Sequence, residues 1–220
     1  MRIDIFILFF LPVILLSCSK PERQGQYYGY IEFTKIDFSV DGEVIPLTRA
    51  VNAGLQIQIW QNGTLLPGRD YMPGADFSKR IVLPVGGGYQ IKAFTPDQAE
   101  AGNDETGHPV YSVESESFRV VEADITTISL VAPQINTGVG VRYEASFLEN
   151  FTDVAVTITS ESGRIVTIPG SEDTELRYFK VPVTGKLQYT VKASNADGEI
   201  MEQTSELEVG AKNYIIKLSI

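Results

Sequence analysis

Apolar and polar residues alternate in short runs along most of this chain. Residues 55–59 read LQIQI, 89–93 YQIKA, 154–158 VAVTI and 189–193 YTVKA. A period of two sends one face of an extended segment to a core and the other to water. Val, Ile, Thr, Tyr and Phe are abundant, and Gly, Pro, Asn and Asp punctuate at the short intervals that strands and turns require. No long 3.6-residue period appears. Phe147, Leu148 and Phe151 allow one helical turn before the run at 154–158. The strand at 30–40 changes phase, because Ile31 and Phe33 are odd-numbered while Ile36, Phe38 and Val40 are even. A bulge or bend near Thr34 and Lys35 reconciles the two phases.

The runs also repeat. LPVGGGYQIKA at 83–93 resembles VPVTGKLQYTVKA at 181–193, and SFRVVEADITTISL at 117–130 resembles ELEVGAKNYIIKL at 206–218. Upstream, Pro67-Gly68 corresponds to Pro169-Gly170, each closing a strand pair. Gly86 to Gly88 read as a turn into Tyr89, since no helix or Lys-Ser/Thr follows to make a phosphate loop. The same order in both halves predicts an all-β fold of two tandem antiparallel β-sandwiches, at 27–132 and 133–220. About seven strands in each would match a transthyretin-like or Ig-like domain.

One connection differs between the copies. The first carries FTPDQAEAGNDETGHPVYSVES at 94–115, where the second has SNADGEIMEQTS at 194–205. A loop beyond structural need is a candidate binding element, here through Asp97, Glu100, Asp104, Glu105 and His108. A tolerated surface insertion is the other reading. The same acids suit a hard cation such as calcium, but their spacing is not that of an EF-hand, and a solvated acidic loop accounts for them.

The N-terminus carries an address. Residues 5–16 (IFILFFLPVILL) are apolar throughout apart from Pro12. That is too short to span a bilayer, which takes about 20 residues, and suits the h-region of a signal peptide. It ends in Leu15-Leu16-Ser17-Cys18, which resembles the lipobox of bacterial lipoproteins and implies acylation of Cys18 after removal of 1–17. Cys18 is the only cysteine, so it has no internal disulfide partner. Residues 18–26 then read as a lipidated flexible tether to the membrane. Ser19 after the cysteine resembles an outer-membrane signal.

Charge and chemistry narrow the partners. The net charge of −10 argues against nucleic acid and against anionic headgroups, which need clustered Lys and Arg. His108 is the only histidine. Neither a zinc cluster nor a marked Ser-His-Asp set exists, so the expectation is a non-enzyme with no cofactor and no metal. Trp60 falls on the solvent phase of its strand, and Tyr27, Tyr28 and Tyr30 cluster near the tether. Such aromatics stack on sugars, or cap a sandwich end or pack between domains.

The stretch YQIKAF…HPVYSVESESFRVVEADITTISLVAPQINTGVGVRYEASFLENFTDVAVTI, from Tyr89 to Ile158, resembles Bacteroidales lipoproteins that carry domains of unknown function. Those look like the fimbrillin superfamily, the subunits and anchors of fimbriae built from two transthyretin-like sandwiches. Shared features include the Tyr-x-x-Lys-Ala strand, the loop ending in Pro-x-Tyr, and Val141, Tyr143, Phe147, Phe151 and Asp153. This chain is short for that family. The resemblance implies partners of fimbrial type joined by strand exchange, a form of β-augmentation. It also implies cleavage by an arginine-specific protease after the first strand, where Arg49-Ala50 stands. The run NYIIKLSI at 213–220 is then either the last strand of the second domain or a donor strand. Two functions follow: a lipid-anchored surface subunit, anchor or accessory in adhesion or assembly, or a monomeric surface module that binds a glycan or protein through 94–115.

Overall fold

The structure is a computed structural model, and it describes residues 26–40, 43–45, 54–170 and 175–220. Up to Pro133 the elements are β1 (Tyr28–Val40), β2 (Glu43–Ile45), β3 (Gln56–Gln61), β4 (Thr64–Tyr71), β5 (Ile81–Pro84), β6 (Gly86–Phe94), β7 (Ser112–Glu114), β8 (Phe118–Val120) and β9 (Ile125–Pro133). The rest holds β10 (Thr137–Tyr143), α1 (Ala145–Asn150), β11 (Phe151–Thr159), β12 (Ile165–Pro169), β13 (Arg177–Phe179), β14 (Lys186–Asn195), β15 (Ile200–Glu208) and β16 (Asn213–Leu218). The fold is all-β, as the alternation predicts, with α1 the single helical turn expected around Phe147.

Each half has two sheets wound in the same order. In the first, β1 pairs with β5, β2 and β9, and the other sheet runs β4-β3-β6 with β7 and β8 beyond β6. In the second, the sheets run β13-β10-β16 and β12-β11-β14-β15. The repeat seen in the sequence is thus a repeat of topology. One correction concerns direction. The opening strand of each half lies parallel to the closing one, β1 with β9 and β10 with β16. The closing strand arrives from the opposite sheet rather than through a hairpin, so a parallel pairing is open to it.

Alternation explains which side chains go inside. On β3, Ile57 and Ile59 are buried between the half-exposed Gln56, Gln58 and Trp60; on the neighbouring β6, Ala93 and Ile91 lie beside them on the same face, with Tyr89 next along the strand. A second core gathers Val156 and Ile158 of β11, Val166 and Ile168 of β12, Phe179 and Leu187. Each fully buried aliphatic contributes about 1.5–3 kcal/mol. The phase change in β1 is a register shift between Phe33 and Lys35. Thr34 fills it by donating its hydroxyl to the Ile128 carbonyl at 3.2 Å.

Two turn assignments shift. Pro67-Gly68 lies inside β4 rather than at its close, opposite an irregular register between Gln58 and Trp60. An edge strand tolerates such a proline because its missing N–H leaves no ladder bond broken. Gly86 to Gly88 start β6 instead of forming a separate turn, with a register irregularity between Gly86 and Tyr89. Gly88 holds φ +74°, and a Cβ there would stand 2.0 Å from Asn62 Oδ1. Among the described residues no helix is long and apolar enough to cross a membrane.

Candidate functional site

Residues 94–115 leave β6 and reach the second half. Short polar side chains shape the loop, as expected where Asx turns replace regular structure. The Thr95 N–H donates to the Tyr111 carbonyl at 2.9 Å and closes the limbs. Asp97 accepts from the Ala99 N–H at 3.0 Å, and its carbonyl lies 3.0 Å from His108 Nε2. The Glu105 carboxylate accepts the Gly102 N–H at 2.7 Å. Asp104 sits at φ +57°, a left-handed conformation that Asp tolerates better than most residues.

The loop tip lies along the outer side of β12 and reaches β13. The N–H of Ile165 donates to Asn103 Oδ1 and that of Thr167 to Asp104 Oδ1, both at 2.9 Å. Asp104 returns its own N–H to the Ile165 carbonyl at 3.0 Å, and Tyr178 of β13 donates to the Thr106 carbonyl at 2.9 Å. Glu100 accepts from the Ser162 hydroxyl at 2.5 Å and from the Lys180 N–H at 3.1 Å. β12 pairs only with β11 among the described strands, so the loop satisfies amides that an edge strand otherwise shows to water.

Arg164 pins this contact. It follows the Ser160–Gly163 turn and is 5% exposed. Its Nε donates to the Gly102 carbonyl at 2.9 Å, Nη1 to the Tyr178 carbonyl and Nη2 to the Glu105 carbonyl. The guanidinium stacks on Phe179, 4.6 Å from the ring centroid. A planar fork with five donors suits three carbonyls at once. Burial pushes its pKa down, and the charges of Glu100 and Glu105 oppose that shift. Tyr111 and Tyr178 are both raised by burial, Tyr111 also by the neighbouring Tyr178.

The join between the halves is built the same way. Asn136 is buried; its Oδ1 accepts the Val110 N–H at 2.9 Å and its Nδ2 donates to the His108 carbonyl at 2.8 Å. The Ile135 N–H donates to the Val110 carbonyl at 2.7 Å. Gly107 sits at φ +70°, and a Cβ there would approach the Tyr178 carbonyl to 3.2 Å. Only glycine meets both constraints without strain. A cleft of about 250 Å³ remains between Ala101, His108, Ile135 and Tyr178.

The structure therefore brings Glu100, Asp104, Glu105 and His108 into one element, but directs their polar groups at the second half or at the loop itself. Among the described residues no three His, Cys, Asp or Glu side chains gather into a metal-sized cluster. Trp60 lies on the outward face of β3, its indole N–H on Gln58 Oε1 at 3.1 Å and Lys92 Nζ 4.5 Å from its ring centroid. Tyr28 and Tyr30 belong to the other sheet, on β1, and Tyr28 donates to Gln26 Oε1 at 3.1 Å. Tyr27 is exposed. Cys18, Arg49 and Ala50 lie outside the described residues. Sequence reasoning missed Arg164, Asn136 and Gly107; nothing in SESGR marks a buried cation, and only the long loop hinted that a partner was needed.

Comparison with protein families matches residues 28–220 to the domain of unknown function DUF4493. Among curated proteins, none matches. Of solved structures, a candidate adhesin from Bacteroides ovatus is 12% identical, covering 94% of this chain and 98% of that one with a TM-score of 0.41. A candidate cell adhesion protein from Bacteroides uniformis is 10% identical, over 90% and 94%, with a TM-score of 0.47. The Bacillus anthracis TIE protein is 17% identical, with a TM-score of 0.33; 88% of this chain matches 33% of that one.

Proposed function

The chain belongs to the family described as domain of unknown function DUF4493, and from that premise we propose that it is a lipid-anchored, non-enzymatic protein of the outer membrane. It serves at the cell surface as a subunit, anchor or accessory of a fimbria-like assembly. The observation that carries this reading is the seating of 94–115. The loop's acids and carbonyls are engaged by Arg164, Ser162, Ile165, Thr167 and Tyr178. That arrangement suits a strut between two sandwiches better than a loop held ready for a ligand.

Two features add support. The apolar run before Cys18 suits export and acylation. In its sheet, β1 lies between β9 on one side and β5 with β2 on the other. A cut after Arg49 would separate β1 and β2 from the rest of the chain and open a slot between β9 and β5, as strand exchange needs. A glycan- or protein-binding module remains the second reading. It draws on the outward Trp60 with its neighbours Gln58 and Lys92.

Mass spectrometry of the native N-terminus tests the proposal. An acylated Cys18 with an intact chain supports an anchor or accessory, and a chain starting at Ala50 supports a polymerising subunit. An unacylated chain that keeps both Cys18 and Arg49 would refute both.

A further inference from the structure

Among the described residues, β15 is the longest strand that pairs on one side only while keeping an unbroken register, from Ile200 opposite Ser194 to Glu208 opposite Lys186. Edge strands are usually blunted by a bulge, a proline, brevity, a cover or charged side chains, and β15 carries only the last of these, in Glu202, Glu206 and Glu208. β15 has no proline, no glycine and no register shift. Residues 200–204 are exposed on both faces, Ile200 at 65% and Met201 at 50%.

Its two faces differ in chemistry. Glu202, Thr204, Glu206 and Glu208 lie on the outward face, against Lys186 and Lys192 of β14; Lys186 Nζ reaches Glu206 at 2.6 Å. On the inner face, Met201 and Gln203 border a groove of about 390 Å³ with an apolar wall of Phe147, Phe151, Val191 and Leu218 and the charged Glu202 and Lys217 beside it. Phe147 and Ala193 of the small end core line it, with Val154 packed in the same cluster.

Charge decides the occupant. A second copy pairing antiparallel over all nine residues would set Glu202 against Glu206 twice, and like charges directly opposite are destabilising. A strand carrying Lys or Arg on its outward face continues the pattern that β14 already makes on the other side. Alternate apolar residues of that strand would enter the groove. We propose that the free edge of β15 docks an extended segment of a partner protein, basic on one face and apolar on the other. This rests on the reading of the chain as a component of a surface assembly.

The test uses the purified full chain and two synthetic peptides, one alternating Lys with Val, the other alternating Glu with Val. Fluorescence anisotropy reads binding and amide hydrogen exchange reads its place. The lysine peptide should bind and protect residues 200–208, and the glutamate peptide should bind roughly tenfold more weakly. The double variant Glu202→Lys/Glu206→Lys, checked for native circular dichroism, should reverse that order. No protection at 200–208 with either peptide overturns the proposal. Equal binding of both peptides overturns the partner chemistry, and a dimer through β15 in sedimentation names a second copy instead. The assay needs neither lipid nor maturation, so its failure leaves the N-terminal result standing, and the reverse holds too.

Discussion

In the first half the ladder beyond β6 is broken: β7 and β8 span three residues each, and Tyr111 bridges to Gln134 just past β9. In the second half the equivalent ladder is the single nine-residue β15, joined to β14 by a tight turn at Asp197-Gly198. The ladder breaks at residues 115–117, between β7 and β8, whereas the residues that travel to β12 and β13 come earlier, between β6 and β7. The insertion thus stands where the second half has its tight turn, and it covers an edge of that half at β12. The lesson is that edge protection is shared between the halves. The second half relies on the first for one edge and on acidic side chains for the other.

Removing the pin should give the largest effect. Arg164→Met leaves the Gly102, Glu105 and Tyr178 carbonyls without their donor and should cost about 3 kcal/mol, read by urea unfolding. If the loop contact is incidental, the variant will unfold at the wild-type midpoint. Gly107→Val tests the close approach. Positive φ and the Tyr178 backbone together should cost about 2 kcal/mol, seen as a lower melting temperature.

Asp104→Ala sharpens the edge comparison. It frees the Thr167 amide at a cost of about 1 kcal/mol and should speed exchange at that amide while leaving β15 unchanged. The smallest effect is on pH. Tyr111 and Tyr178 are raised above 10.0 in the folded chain, so the folded state holds its protons longer than the unfolded one. Stability from these groups is complete below pH 10 and falls as pH rises through the folded values. Alkaline titration of stability should show that decline, weakened in Tyr178→Phe.

Much of this frame is legible in the sequence because it follows from local pattern. Residues 55–59 and 154–158 state their buried face by alternation, the phase change in β1 announces the bulge at Thr34, and the repeated Tyr-x-x-Lys-Ala run exposes the duplicated topology. Trp60 likewise faces outward as its phase says. The parallel pairing of β1 with β9 is not legible, because strand direction depends on which sheet the chain returns from. Nor is the destination of 94–115. Asn103, Asp104 and Glu100 find partners about sixty to eighty residues away, and such polar pairings have no period to read. Arg164 looks like any arginine in a turn until the carbonyls around it are seen.

The most direct measurement is native-state amide exchange on the unmodified chain, comparing the two edges of the second half. The amides of Ile165, Thr167 and Tyr178 should be strongly protected, opening only when the halves separate. The outward amides between Met201 and Ser205 should exchange at nearly the rate of an unfolded chain. Fast exchange at both edges would contradict the account, because the loop would then cover nothing.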